Sequence, residues 1–131
     1  MFDKLEIFRM AQGLALHASA RTAAIAENIA NADTPGYRAH DLRSFADTFE
    51  VGGQPAMRAT RNGHLGGGSG ARFDADEQRV ERPGAMSPSG NNVSLETEMM
   101  QAVQAKGAHD RALAIYKSAL TIMRTSINGG R

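Results

Sequence analysis

The sequence predicts a mainly α-helical chain. Long N- and C-terminal helices pair as a coiled coil, joined by a Gly/Pro-rich, flexible central segment in which short β structure is allowed on assembly. Three observations carry this expectation. Residues 4–31 hold no Pro and one Gly, Gly13, and are dense in Ala, Leu, Ile and Met. Residues 52–90 contain nine of the fourteen Gly and three of the four Pro, including Gly66-Gly67-Gly68-Ser69-Gly70. Residues 94–128 return to helix-forming composition, with Gly107 alone interrupting it. The 131 residues are therefore read as one unit, with an N-terminal helix and turn over 1–50, a flexible segment over 51–91 and a C-terminal helix over 92–131.

The N-terminal helix shows a clear period. Alternating steps of four and three from Ile7 reach Ala11, Leu14, Ala18, Arg21, Ile25, Asn28 and Ala32, and a neighbouring track adds Leu5, Phe8, Ala15, Ala26 and Ile29. This is a broad apolar stripe broken by Arg21 and Asn28. It ends at Asn31-Ala32-Asp33-Thr34-Pro35-Gly36, because Pro35 disfavours a helical Thr34 and donates no backbone hydrogen bond.

The C-terminal helix has a narrower seam. Leu113, Tyr116, Leu120, Met123 and Ile127 step by three and four in the coiled-coil manner. Met99, Val103 and Ala112 extend the seam backwards, with Lys106 and Asp110 as polar breaks. Asn91-Asn92-Val93-Ser94 supplies N-cap residues, and Glu96 and Glu98 place negative charge at the positive end of the helix. Gly129-Gly130 stops it. The two helices would be roughly 40 and 50 Å long at ~1.5 Å per residue.

A pair of such narrow helices leaves much of each stripe wet, so the lone chain is expected to be marginally stable and to need neighbours. The central residues 52–90 add only Met57, Leu65, Phe73, Val80 and Met86 as large apolar side chains. That is too few to offset ordering entropy of ~1–2 kcal/mol per residue, and the segment is expected to order against a partner.

Composition excludes several functions. Lys and Arg total 15 against 14 Asp and Glu, and the charge is spread evenly along the chain, so no phosphate-tracking surface stands out for nucleic acid. The absence of Cys removes disulfides, thiolate metal sites and Cys nucleophiles. His17, His40, His64 and His109 show no metal-ligand spacing. Asp74-Ala75-Asp76-Glu77 begins like a calcium loop, but Arg79 and Ala85 occupy the positions that need Gly and Glu. The Gly66–Gly70 run lacks the Gly-Lys-Ser/Thr of a phosphate cradle, and Asn92-Val93-Ser94, although a glycosylation sequon, coincides with a helix start. No nucleophile, base and acid converge. The expectation is a non-enzymatic protein without cofactor, metal or small-molecule substrate. The N-terminus also lacks the basic and apolar regions of a cleaved leader, and no apolar run approaches a membrane span.

Two features exceed what a generic helix pair needs. Asn28 and Asn31 place amides one turn apart beside an apolar face and lead into Thr34-Pro35-Gly36-Tyr37. Amides on a packing face make directional hydrogen bonds that fix register at some cost in stability. Phe45 and Phe49 are spaced i, i+4 in an otherwise polar stretch. They form either a short amphipathic turn or a linear signal read by another protein.

At these residues the chain resembles the bacterial flagellar basal-body rod proteins, most closely those of the proximal rod. Asn28-Ile29-Ala30-Asn31-Ala32-Asp33-Thr34-Pro35-Gly36-Tyr37 is similar to the signature of rod and hook-type axial proteins. Ser87-Pro88-Ser89-Gly90-Asn91-Asn92-Val93-Ser94-Leu95-Glu96 is similar to the run before the family's C-terminal helix, with Ser at 89 and 94 where many members have Asp. Thr60-Arg61-Asn62-Gly63-His64-Leu65 is a weaker likeness. The resemblance implies a structural subunit of the periplasmic rod, helically packed around the export channel and transmitting torque. It implies export through the flagellar type III apparatus without cleavage, with Phe45 and Phe49 similar to its recognition pattern. The implied neighbours are other copies, other rod proteins, the junction protein at the rod base and the MS ring. Asn28, Asn31, Thr34, Pro35, Gly36 and Tyr37 would carry the assembly signature. Leu14, Ile25, Ile29, Leu113, Tyr116, Leu120, Met123 and Ile127 would form the packing seam. A small helical adaptor or chaperone-like binding module is the rival reading, which stoichiometry separates: an adaptor gives a discrete complex, a subunit a multi-copy array.

Overall fold

The computed structural model describes residues 2–51, 75 and 78–129 of the chain. Helix α1 spans Phe2–Ala30, strand β1 His40–Leu42, helix α2 Phe45–Val51, strand β2 Arg79–Glu81 and helix α3 Leu95–Asn128. Met57, Leu65, Phe73, the Thr60–Leu65 stretch and the Gly66–Gly70 run lie outside the described residues.

α1 and α3 run antiparallel. Asn28 meets Glu98, Arg21 meets Gln101, and Phe8 meets Tyr116 edge-on with ring centroids 5.1 Å apart. On α1 the buried residues Ala11, Ala18, Ile25 and Asn28 belong to the stepping track read from the sequence, with His17 and Ala24 beside it. The alanines among them, Ala11, Ala18 and Ala24, take up little space between the two backbones.

On α3 the face turned to α1 differs from the expected seam. Glu98, Ala105 and Ala112, spaced by seven, are its buried residues. The heptad through Met99, Lys106, Leu113, Leu120 and Ile127 sits one residue later, a rotation of about 100°. Leu113, Tyr116 and Ile127 are accordingly exposed, as are Met99 and Val103, while Leu120 and Met123 are half-buried. On α1 Ile29 is exposed and Leu14 half-buried. Large side chains give the stronger periodic signal, but close helix contact selects the Ala row.

α3 starts where Ser94 accepts from the Thr97 amide through its side chain, with Glu96 and Glu98 in the first turn. It stops at Gly129, whose amide donates to the Thr125 carbonyl at 2.8 Å. β1 and β2 pair antiparallel, with His40 opposite Glu81 and Leu42 opposite Arg79. Short β structure in the centre is thus formed within a single chain. α2 is capped by Ser44, whose Oγ donates to Asp47 Oδ2 at 2.7 Å and accepts from the Asp47 amide.

The two α3 registers make opposite predictions for neighbouring residues. Ala112→Leu should overpack the interface and cost about 1–3 kcal/mol, whereas Leu113→Ala should change stability by less than about 1 kcal/mol. Urea midpoints of the two variants check this, and the reverse order would restore the Leu113 seam.

Candidate functional site

The two segments singled out in the sequence, Asn28–Tyr37 and Ser87–Glu96, meet at the closed end of the helix pair. The first is shaped by the end of α1. The Asn31 amide is shared between the Glu27 and Asn28 carbonyls, and the Thr34 amide donates to the Asn31 carbonyl at 3.0 Å. The chain then reverses through Gly36 at φ +72°, a conformation that L side chains resist. Its neighbour in space, Gly90, has φ +80°, and a Cβ there would lie 3.5 Å from the Gly36 Cα. The Gly36 amide donates to the Ser89 carbonyl at 2.9 Å. The two glycine turns therefore nest backbone to backbone.

Two buried asparagines stitch the segments together. Asn91 Nδ2 donates to the Asn31, Ala32 and Thr34 carbonyls at 2.8–2.9 Å, all in the turn that follows α1. Its Oδ1 accepts from the Val93 amide at 2.7 Å. Asn92 bridges the two sides of the sheet: Oδ1 accepts from the Ala39 amide at 2.6 Å and Nδ2 donates to the Arg82 carbonyl at 2.8 Å. The sequence read these residues as local caps. Their larger role is to tie β1, β2 and the turns to one another.

Asn28 is the centre of the site and is fully buried. Its Nδ2 donates to the His40 carbonyl at 2.8 Å and to Glu98 Oε2 at 3.2 Å. Its Oδ1 accepts from the His40 amide at 3.0 Å and from the Tyr37 hydroxyl at 3.2 Å. Both donors and both lone-pair directions are used. Glu98, also fully buried, receives Arg82 Nη2 on its other oxygen. Two turns back on α1, Arg21 forks onto Asp41 at 2.8 and 2.9 Å and also reaches Gln101. The two polar breaks in the apolar stripe of α1 are thus the points where it engages β1 and α3.

Electrostatics follow the geometry. Burial alone would raise the Asp41 pKa, but hydrogen bonds from Arg21 and the Leu42 amide, with the charges of Arg21 and Arg82, outweigh it and hold the carboxyl below its ordinary value. Burial raises the Tyr37 hydroxyl, helped by Glu27 and opposed by Arg79. Tyr37 is therefore a neutral donor to Asn28 at physiological pH.

The remaining signature residues do not enter this centre. Asn31 acts locally, donating from Nδ2 to the Glu27 carbonyl and accepting the Thr34 hydroxyl. Thr34 and Pro35 are exposed on the turn. Phe45 is half-buried against α1, with its ring 3.4 Å from where a Gly13 Cβ would lie and edge-on to His17 at 5.7 Å. The side chain of Phe49 lies outside the described part of the structure. Sequence reasoning missed the ion pairs Arg21–Asp41 and Arg82–Glu98, of which Glu98 is buried and the other three residues half-buried. The available signal was the seven-residue interval between Arg21 and Asn28 on one track.

Two predictions follow from this arrangement. Asn28→Ala should remove four hydrogen bonds and leave buried partners unmet, costing about 2–4 kcal/mol in urea unfolding. Because the folded pKa of Asp41 is lowered, its contribution is fully present above the unfolded-chain value of about 3.9 and disappears as pH falls through the folded value. Asp41→Asn should therefore flatten the acid limb of the stability profile, and an unchanged limb would contradict the Arg21–Asp41 account.

The chain is similar to known proteins. The sequence model of the family described as flagella basal body rod protein matches residues 11–38, from the middle of α1 through the Gly36 turn. The flagellar basal body rod protein FlgB of Cereibacter sphaeroides is 31% identical over 120 residues, covering 91% of each chain. The FlgB protein of Salmonella typhimurium is 30% identical over 139 aligned positions, covering 99% of each chain, and that of Agrobacterium fabrum is 29% identical over 125, covering 94% of this chain and 93% of its own. The stitched turns, the helix pair that they close and this near full-length similarity lead to one conclusion: the chain belongs to the FlgB family of flagellar basal body rod proteins.

Proposed function

We propose that the chain works as a structural rod subunit whose closed end sets the geometry of a stiff helical hairpin and whose outer faces are buried by neighbouring subunits. The observation that carries this reading is the contrast between the two kinds of surface. The amides of Asn28, Asn91 and Asn92 and the Glu98 carboxylate at the closed end find partners within the chain, yet Leu113, Tyr116, Ile127 and Ile29 remain exposed. Large apolar side chains left in water at helical spacing suit a protein completed by others. Leu14, Ile25, Leu120 and Met123 support the same seam from its inner edge.

The partners in this reading are copies of the chain, other rod proteins, the junction protein at the rod base and the MS ring. Assembly by a repeated heterologous contact generates a helical array around a channel. Close Ala packing suits torque transmission, because backbones held near one another leave little room to shear. The signature residues Asn28, Asn31, Thr34, Pro35, Gly36 and Tyr37 act here by fixing the angle at which α1 leads into the turn. Among the described residues no helix is long and apolar enough to cross a membrane. Delivery to the periplasmic rod is assigned to the flagellar type III export apparatus. Phe45 and Phe49 act as the recognition pair while the chain is unfolded.

Leu113→Asp and Ile127→Asp place charge on exposed positions, so the folded hairpin should survive while rod incorporation and swimming are lost. Normal motility with either variant would remove the seam from the assembly. The Phe45→Ala, Phe49→Ala double variant should accumulate in the cytoplasm, and secretion at the wild-type level would dismiss the recognition pair.

A further inference from the structure

The two strands of the sheet differ in what lies along their outer edges. The Arg43 amide donates to the Gln78 carbonyl at 2.9 Å and the Arg82 amide to the Ala39 carbonyl at 2.8 Å. With Asp41 opposite Val80, the ladder runs through Ala39, Asp41 and Arg43 on one side and Gln78, Val80 and Arg82 on the other. The alternate residues turn their backbone groups outward. On β1 the edge is taken up by α1 and by local bonds. Asn28 holds the His40 amide and carbonyl, and the Leu42 amide donates to Asp41 Oδ1 at 2.8 Å. On β2 the outward groups are the amides and carbonyls of Arg79 and Glu81, and among the described residues nothing pairs with them. Of the described helices and strands, β1 alone brings its backbone close to β2. Pro83, which has no N–H, ends the edge.

Open edges are commonly guarded by charge. Arg79 and Glu81 are charged, but both are drawn onto partners in their own chain, the Arg79 guanidinium onto Glu27 and the Glu81 carboxylate onto Arg38 at 3.4 Å. Side chains leave a strand above and below the sheet, so the outward amides and carbonyls stay accessible in its plane. Free N–H and C=O groups recurring two residues apart are complementary to the backbone of another extended strand.

We infer that the outer edge of β2 accepts an extended strand from a different protein of the rod, paired antiparallel with Arg79–Glu81. The inference rests on the rod-subunit reading and names a backbone contact within it. The added strand carries a base opposite Glu81 and, two residues on, an acid opposite Arg79, because opposite charges across a ladder stabilise it and like charges do not. Two copies of this chain also match Arg79 to Glu81 across a two-fold axis, but that pairing closes after two chains. A repeated contact between copies needs a second free edge, and on β1 that edge is covered by α1. An array that continues past β2 therefore draws the strand from another protein.

Amide hydrogen exchange of the full chain reads the edge directly. In the purified chain the Val80 and Arg82 amides, held by β1, should exchange more slowly than those of Arg79 and Glu81. In isolated basal bodies the Arg79 and Glu81 amides should slow by at least about 100-fold, since an added strand gives each an acceptor. Glu81→Pro deletes an outward N–H and spares the ladder to β1, whereas Glu81→Ala keeps that N–H. With helix content matched by circular dichroism, Glu81→Pro should enter basal bodies about tenfold less than Glu81→Ala. Unchanged exchange at Arg79 and Glu81 in basal bodies, or equal incorporation of the two folded variants, would overturn the added strand. The exchange measurement needs no substitution and decides alone if the Pro variant does not fold. A purified chain that dimerises in sedimentation velocity, with both amides slowed in the dimer, would give the edge to a second copy and overturn the inference as well. Absence of the wild-type chain from basal bodies would instead overturn the rod reading itself, which separates the two failures.

Discussion

The fold depends on a buried carboxylate that cannot be left alone. Glu98 is removed from water at the interface of α1, the sheet and α3, where an unmatched charge would cost several kcal/mol. It is matched only when Arg82 arrives from the segment after β2 and Asn28 arrives from α1. All three must be in place together. A slip of one residue along α1 would put Glu27 or Ile29 in place of Asn28 beside the carboxylate, so the cluster specifies register where the Ala rows alone would tolerate sliding.

That requirement reaches outward through Asn28. The same amide that touches Glu98 holds both backbone groups of His40 and the hydroxyl of Tyr37. The path of the chain after α1 is therefore coupled to the pairing of α1 with α3. Asn91 closes the circuit from the opposite side by filling carbonyls of the turn after α1. The Asn28–Tyr37 and Ser87–Glu96 segments thus join the end of α1 to the start of α3 through a tight double turn.

The distribution of surfaces follows from this division of labour. Polar specificity is concentrated at the closed end, and the hairpin beyond it is held by small side chains that bury little area each. Larger apolar residues consequently remain on the outside, and the rod-subunit proposal rests on them.

Much of this was legible from the order of residues. Composition separates two helical ends from a Gly/Pro-rich centre, the three-four stepping through Ala11, Ala18, Ile25 and Asn28 identifies the inner face of α1, and the Asn28–Tyr37 and Ser87–Glu96 runs mark the places that matter. Periodicity reports which residues share a face, and these faces are properties of one helix at a time. Tertiary structure decided what a single helix cannot encode. It selected the Glu98–Ala105–Ala112 row over the Leu113 heptad, joined Arg82 to Glu98, and placed Arg79–Glu81 beside His40–Leu42. Those choices turn on how closely two backbones can approach and on where a buried charge finds its partners, and both are settled only when distant segments meet.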